Sequence, residues 1–436
     1  MNDGKLNLHT PEVQFFAPIT TLDSVLFWGQ YRFTNRQEYY IIKELKGRLG
    51  SPAYLDFLNR NLLMTKLLAI FSVALILAYI SERNTKAILA SGQHYSVWND
   101  WAYILLVVVL SCFAGLRTKF NDTQNYIRIF AQSPGMLVFL SDIDNLDPLA
   151  NPLFYFSLSL LHEFTENAQI LIFLTATFSQ CCFVWFIKRY SSSFVFSIFL
   201  YFTLGTFVLS MAALKQVMAM SILTLAIPYL EKKKWVEYYV VVLLAMLVHT
   251  YAIVFIVLPL FVQKPWRLFT YVFAGCMVVL LMNFQEMITM FLEQADEMGK
   301  SIAEYEVFDD VTINTFRLAI YAIPPLISFL FQKWIFSNSS TTAHVLIHMS
   351  IISVAFMAMG TQSGANMFGR MANYFELGMV CSLPWILRQT FNDRSYRLVG
   401  IVAAIGFVGF FVYGNAISGS FDQAYQATSF FALLSW

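Results

Sequence analysis

Long apolar stretches recur along the chain from residue 61 onwards. They cover 61–80, 99–116, 167–187, 191–210, 212–230, 236–262, 268–284, 315–333, 342–360, 372–388 and 397–415. Most approach the ~20 residues that a helix needs to cross a bilayer, so they predict about eleven transmembrane helical segments. Lipid offers a backbone no hydrogen bonds, so only helices and closed barrels can cross it, and these stretches are too long and too uniformly apolar for barrel strands. The sequence therefore predicts an all-α, polytopic integral membrane protein.

Charged residues are scarce: they make up 13% of the chain, against 58% hydrophobic residues. The formal net charge of +1 predicts no nucleic-acid partner. The five cysteines all lie in apolar stretches, and their spacing is not that of a metal site or a disulfide framework. We interpret them as packing residues, and the sequence predicts neither a metal nor a cofactor.

The apolar stretches divide the chain into three predicted regions. Residues 1–60 form an N-terminal tail whose side of the membrane is left unassigned, residues 61–415 a multi-span membrane domain, and residues 416–436 a C-terminal tail. Cytoplasmic loops of membrane proteins carry an excess of Lys and Arg. The acidic loops 116–166 and 285–314 are therefore predicted to be external.

Three clusters of basic residues predict the cytoplasmic side of the membrane. These clusters contain Lys188, Arg189, Lys232, Lys233, Lys234, Arg388, Arg394 and Arg397. The stretch 236–262 follows the second cluster and ends near another basic pair, Lys264 and Arg267. It is too short for two full crossings. We therefore predict a bend at His249 and Thr250, which would give two half-spans or a re-entrant hairpin.

Ionisable residues are costly at membrane depth and are therefore candidates for function. Arg117 and Asp122 follow the second apolar stretch, within "GLRTKFNDTQNY". Lys215 and Gln216 lie inside an apolar helix, within "MAALKQVMAM". A lysine in such a helix needs an anionic partner, which is either a carboxylate of another helix or a ligand. The sequence favours neither of these two partners.

Four further candidates lie later in the chain. His249 is within "LVHTYAIV", and Arg317 adds a cation at the predicted external side. Arg370 and Tyr374 are four residues apart in "GRMANYFELG", so they would share one face of a helix. Several cations at the external ends of helices suit a pyrophosphate, because Arg offers a bidentate fork and Lys a point charge.

Each candidate also has a structural interpretation. An arginine at the end of a transmembrane helix often anchors that end at the membrane interface. A buried lysine can pair with a carboxylate of a neighbouring helix, and a histidine can bond to a backbone carbonyl. The functional interpretation rests on the number of these residues at one predicted side of the membrane.

Four motifs follow one another in the membrane region. "GLRTKFNDTQNY" is similar to a GLR–D–Y signature, "LKQVMAMSI" to an R-Q-x-x-A helix, "LVHTYAI" to an x-H-x-(S/A) turn and "GRMANYF" to an R-x-x-x-Y-F motif. In this order they resemble the EpsG-type family of bacterial exopolysaccharide polymerases, which are related in role to the Wzy O-antigen polymerases. Asn121 stands where that family usually has Gly, and Lys215 where it usually has Arg.

The resemblance implies glycosyl transfer at the external face of the bacterial cytoplasmic (inner) membrane, by a multi-pass protein with a GT-C-like architecture. The substrates would be an undecaprenyl-pyrophosphate-linked glycan donor and acceptor, and no cofactor is implied. The resemblance places Arg117, Lys215 and Arg370 at the pyrophosphate, and Asp122 at the acceptor as base or binding group. The residues implied to bind or orient sugar or phosphate are Gln216, His249, Arg317 and Tyr374.

Two other functions stay open at this point. An O-antigen ligase uses the same lipid donor with a different acceptor. A lipid-linked oligosaccharide transporter or flippase would be expected to place ionisable groups near the bilayer midplane, within reach of both faces. Here they lie mainly at predicted external helix ends. The partners implied besides the substrates are membrane lipid, a chain-length regulator and a flippase.

Overall fold

The structure is a computed structural model that describes residues 52–141, 150–286, 289–290, 312–414 and 425–429. The chain divides into two compact units, Met1–Phe57 and Leu58–Trp436, and nearly all of the described residues belong to the second. Most of the predicted N-terminal tail and most of the predicted acidic loop 285–314 lie outside the described residues.

The described residues are mainly helical, which confirms the all-α prediction. The α-helices are α1 (Pro52–Ala90), α2 (Trp101–Gly115), α3 (Thr123–Ala131), α4 (Met136–Ser141), α5 (Pro152–His162), α6 (Ala168–Tyr190), α7 (Phe194–Thr203), α8 (Thr206–Ala212), α9 (Leu214–Thr224), α10 (Ile227–Glu231), α11 (Trp235–Val248), α12 (Leu268–Met282), α13 (Thr315–Tyr321), α14 (Ile323–Leu330), α15 (Gln332–Ile335), α16 (Thr341–Met359), α17 (Ala365–Asn373), α18 (Glu376–Thr390) and α19 (Asp393–Val412). A 3₁₀ helix covers Thr250–Phe261, and two short strands are β1 (Arg117–Lys119) and β2 (Gln426–Ala427).

Several helices are suited to a bilayer. Among the described residues, four are long and apolar enough to cross a membrane, namely Leu63–Ala90 of α1, α6, α16 and α19. Helices α7 and α8 pass the same test as one bent pair. Four shorter apolar helices accompany them: α2, α11, the 3₁₀ helix and α12. The chain is therefore a polytopic membrane protein, and the count of about eleven segments stays a prediction.

Several of the predicted spans are interrupted, among them 191–210 and 315–333. The stretch 191–210 bends by 54° between α7 and α8. Gly205 occupies the break with φ 92°, a left-handed conformation that glycine adopts without a steric penalty. The stretch 315–333 forms three short helices, α13 to α15, and the second of them begins with Pro324 and Pro325 in its first turn. Proline is well tolerated at the start of a helix and poorly in its interior, so a new helix begins there.

The predicted bend at His249 and Thr250 is confirmed. Helix α11 ends at Val248, and His249 is extended, with φ −152° and ψ 116°, before the 3₁₀ helix begins. The Tyr238 hydroxyl in α11 donates a hydrogen bond of 2.6 Å to the Phe255 carbonyl in the 3₁₀ helix. The two apolar segments therefore pack side by side as a hairpin with His249 near its tip.

The predicted loop 116–166 is largely structured. It contains β1 and the helices α3, α4 and α5. Strand β1 pairs antiparallel with β2, which lies in the predicted C-terminal tail. The Tyr425 hydroxyl also donates a 2.7 Å hydrogen bond to the Phe113 carbonyl at the end of α2. This pairing fixes the segment that leads to Asp122.

The two ends of α2 carry different polar groups. At the first end, Asp100 Oδ2 lies 3.6 Å from Lys188 Nζ, within one of the predicted cytoplasmic clusters. At the other end, Gly115 leads into β1 and then Asp122. The 15 residues of α2 separate these ends by about 22 Å, at ~1.5 Å per residue. The Arg117–Asp122 segment therefore lies at the opposite end of the helix from the basic cluster.

Helix α18 packs very closely against α16. A Cβ atom added to Gly378 would clash with the Met349 Cβ and would lie 2.7 Å from the Leu346 carbonyl oxygen. Small residues allow this kind of close backbone approach between membrane helices. The contact sets the position of the first turn of α18, which contains Glu376.

Candidate functional site

One cavity of about 440 Å³ collects four of the residues singled out in the sequence, Asp122, Gln216, Arg317 and Arg370. Its wall is built from the loop after β1, the break between α7 and α8, the first turn of α9, and residues of α13, α17, α18 and α19. Residues far apart in the chain therefore meet here because short, interrupted helices end at one place.

Two guanidinium groups face this cavity. Arg317 is half-buried; its Nη2 lies 3.4 Å from Asn373 Oδ1, and its guanidinium carbon lies 5.4 Å from the centre of the Tyr321 ring. Arg370 is exposed, and its backbone carbonyl accepts a 3.0 Å hydrogen bond from Gln216 Nε2. Within the described ranges, neither guanidinium takes part in a salt bridge. Arg370 is therefore available to an anionic ligand, whereas Arg317 also interacts electrostatically with the nearby Glu376 carboxyl.

Asp122 lies at the rim of the cavity, on the loop between β1 and α3. Partial burial raises the pKa of the Asp122 carboxyl, and the positive charge of Arg370 opposes this rise. The preceding Asn121 is left-handed, with φ 44°, and its Nδ2 donates a 3.2 Å hydrogen bond to the Ala212 carbonyl. Asn and Gly tolerate this conformation best, which accounts for an asparagine where the resemblance leads one to expect glycine.

Sequence reasoning did not select Glu376, although this residue lines the same cavity. Its side chain is buried, with 1% of its surface exposed, and its Oε1 accepts a hydrogen bond from the Tyr321 hydroxyl. The Thr206 side chain also hydrogen-bonds the Glu376 carboxyl group. A carboxylate beside an apolar stretch was the signal that could have found it.

Gln216 presents a second buried acceptor to the cavity. The side chain is 2% exposed, and its Nε2 donates a hydrogen bond to the Arg370 carbonyl. Its Oε1 has no partner in the described part of the chain. Buried polar atoms are nearly always hydrogen-bonded, so the Gln216 oxygen has acceptor capacity for a donor from water or from a ligand in the cavity.

Arg117 lies behind the cavity wall and does not line it. Its side chain is 2% exposed, its Nε donates a 3.1 Å hydrogen bond to Thr123 Oγ1, and its Nη1 donates to the Ala114 carbonyl. Burial lowers the pKa of Arg117 to about 10, so it stays cationic at neutral pH. These contacts tie the end of α2 to the start of α3, on either side of the Asp122 loop.

The remaining three predicted residues form a group next to the cavity. The Tyr374 hydroxyl lies 2.8 Å from His249 Nδ1, and Lys215 Nζ lies 5.4 Å from the ring centres of both Phe154 and Tyr155. Arg370 interacts electrostatically with Lys215 and His249. Arg370 therefore lies between this group and the cavity.

The chemistry of the cavity wall defines the ligand that would fit. Two guanidinium groups suit phosphate oxygens, because Arg binds them through paired N–H donors. The buried acceptor oxygens of Gln216 and Glu376 suit hydroxyl donors. A ligand with both phosphate and hydroxyl groups, such as a sugar joined to a phosphate, would satisfy both sets of side chains.

Comparison with known proteins identifies a family. Neither a curated protein nor a solved structure matches the chain. The family model described as the EpsG family matches residues 100–429. This match covers more than half of the chain and contains every residue that lines the cavity. The chain therefore belongs to the EpsG family.

Proposed function

We propose that this protein joins undecaprenyl-pyrophosphate-linked oligosaccharide repeat units into a surface polysaccharide, by glycosyl transfer at the external face of the bacterial cytoplasmic membrane. Membership of the EpsG family supports a polysaccharide polymerase in general. The observation that carries the proposal is one cavity lined by two arginines outside any described salt bridge and by the buried acceptor groups of Gln216 and Glu376. This set matches the diphosphate and the sugar of such a lipid-linked substrate.

In the proposed reaction, a hydroxyl of the acceptor unit attacks the anomeric carbon of the growing chain. The bond between that carbon and the diphosphate oxygen breaks, and undecaprenyl pyrophosphate leaves with the electron pair. Arg370 and Arg317 stabilise the negative charge that develops on the leaving diphosphate. Asp122, at the rim, binds hydroxyls of the acceptor sugar. Beyond Arg370, Lys215 adds a positive charge and His249 adds a hydrogen-bonding side chain.

The proposed architecture has about eleven membrane-spanning segments and is GT-C-like. Interrupted helices support a site of this kind, because they bring helix ends and polar side chains into a region that is otherwise apolar. The first turn of α9, with Gln216, and the break at Gly205 both contribute to the cavity wall.

The direct test is reconstitution. The purified protein in liposomes, incubated with lipid-linked repeat units, is expected to give a ladder of products that differ by one unit, and the ladder is read by gel electrophoresis. Transfer of a single unit to a different acceptor without a ladder would favour a ligase. Movement of the substrate across the bilayer without any new glycosidic bond would favour a flippase.

The orientation of the cavity gives a separate prediction. In a variant without the five native cysteines, we expect Gln362→Cys to react with a membrane-impermeant thiol reagent in intact cells and Lys232→Cys to react only after lysis. Both positions are exposed. Gln362 precedes α17, which carries Arg370, whereas Lys232 belongs to a basic cluster expected in the cytoplasm. The opposite labelling pattern would place the cavity on the cytoplasmic side.

A further inference from the structure

On the basis of the proposed function, we infer that Glu376 is the base that takes the proton from the attacking hydroxyl of the acceptor sugar. Among the described residues, two carboxyl groups line the cavity, those of Asp122 and Glu376. The sequence pattern pointed to Asp122, and the surroundings of the two groups favour Glu376.

The two carboxyl groups differ in their exposure to water. Asp122 is exposed at the rim, where water can compete for its oxygens. Glu376 is 1% exposed and belongs to the first turn of α18, which is held by the close contact at Gly378. At a position shielded from bulk water, a substrate hydroxyl does not have to compete with solvent for the carboxylate, and the group is held in one place for proton transfer.

The contacts of Glu376 leave one oxygen for a substrate. Tyr321 holds Oε1 through its hydroxyl, and the Thr206 side chain also hydrogen-bonds the carboxyl group. A carboxylate oxygen accepts more than one hydrogen bond, so Oε2 keeps acceptor capacity for a further donor. Arg317 interacts electrostatically with Glu376. This positive charge favours the ionised carboxylate, the form that can accept a proton, without occupying Oε2. The remaining acceptor capacity of Oε2 is therefore available to a hydroxyl in the cavity.

The proton transfer balances with the bond changes of the proposed reaction. The acceptor O–H gives its proton to Glu376 Oε2, and the freed electron pair forms the new bond to the anomeric carbon. The old bond to the diphosphate oxygen breaks, and its electron pair leaves with undecaprenyl pyrophosphate. The proton passes from Glu376 to water after the products leave.

Other ionisable groups also face this carboxyl. Arg317 and Tyr321 approach from α13 and Tyr201 from α7, while Asp122 and Arg370 line the same cavity. A pH profile must therefore be compared between variants. The rate of the natural protein is expected to fall as the pH is lowered, because a protonated Glu376 cannot accept a proton. This acid limb should disappear in the residual activity of Glu376→Gln and persist in Asp122→Asn.

The deciding experiment measures turnover and binding in the same reconstituted protein. Glu376→Gln is expected to lower polymer formation by about 10²-fold or more and to change the affinity for undecaprenyl pyrophosphate by less than about threefold. Tyr321→Phe, which removes the hydroxyl that contacts Glu376 Oε1 and the Leu204 carbonyl but keeps the carboxylate, serves as the matched control and should lose far less activity. Glu376→Asp keeps a carboxylate and should recover part of the rate together with the acid limb.

The alternatives give different results. If Glu376 only positions Arg317, Glu376→Gln loses affinity for undecaprenyl pyrophosphate together with turnover, and the inference is overturned. It is also overturned if Glu376→Gln keeps the natural rate while the natural protein forms polymer. If the natural protein forms no polymer at all, the proposed function fails. Should Glu376→Gln not accumulate, the same comparison uses Glu376→Asp, and loss of its acid limb would contradict the inference.

Discussion

Replacing Arg370 by alanine is expected to reduce polymer formation per folded protein by about 10²–10³-fold, the usual effect of removing one donor from a site that stabilises developing negative charge. Arg370 faces the cavity without a described salt-bridge partner. Its charge is therefore available to the leaving diphosphate. The measurement is the rate of ladder formation in liposomes, normalised to the amount of protein that elutes as a single folded species.

Arg370→Lys separates charge from geometry. Lysine keeps the positive charge but cannot form two parallel hydrogen bonds, so its rate should lie between those of the natural protein and the alanine variant. Arg397→Ala is the matched control, because Arg397 is exposed, lies in α19 and donates to the Asp393 carbonyl at 3.3 Å. Natural turnover in Arg370→Ala, or an equal loss in Arg397→Ala, would show that Arg370 does not act at the reacting group.

Gly378→Ala is expected to destabilise the folded protein by about 1–3 kcal/mol or more, because an added methyl group overpacks a closely packed core. The clash involves the Leu346 carbonyl oxygen, which is backbone and cannot rotate away. Helices α16 and α18 would have to separate, and Glu376 would move with α18. The measurement is the temperature at which the detergent-solubilised protein loses its folded elution peak.

Gly406→Ala gives the matched control for this substitution. Gly406 lies in the interior of α19, and an added Cβ would meet nothing within 4 Å. Alanine is also a better helix former than glycine, so this variant should be as stable as the natural protein or slightly more so. Equal melting temperatures for the two variants would show that the contact between α16 and α18 is looser than the structure indicates.

The helical fold could be predicted because apolar stretches are a local property of the sequence. The bend at His249 was also predictable, since basic residues at both ends of 236–262 require the chain to return to its starting side. The bend at Gly205 was not predicted. A single glycine in an apolar stretch has no required conformation of its own, and its left-handed φ follows from how α7 and α8 pack.

The site could be predicted only in part, for a similar reason. Sequence spacing identified Arg370 and Arg317 as cations near helix ends, and both line the cavity. Spacing could not show that the Arg117 side chain turns inward, to the Ala114 carbonyl and Thr123. It also could not show that Glu376 and Tyr321 meet, because 55 residues separate them in the chain. Contacts between distant helices depend on packing, which no local pattern encodes.

The pairing of β1 with β2 has a consequence for biosynthesis. Strand β2 follows every helix described in the chain, whereas β1 immediately precedes the Asp122 loop. During translation, this loop therefore cannot be clamped until all the later helices have been inserted into the membrane. A chain interrupted before residue 425 lacks both β2 and the Tyr425 hydrogen bond to Phe113. The Asp122 loop at the rim of the cavity is therefore fixed only after residue 427 has been synthesised. Truncated chains that reach the membrane would lack this fixed loop and would not form the site described above.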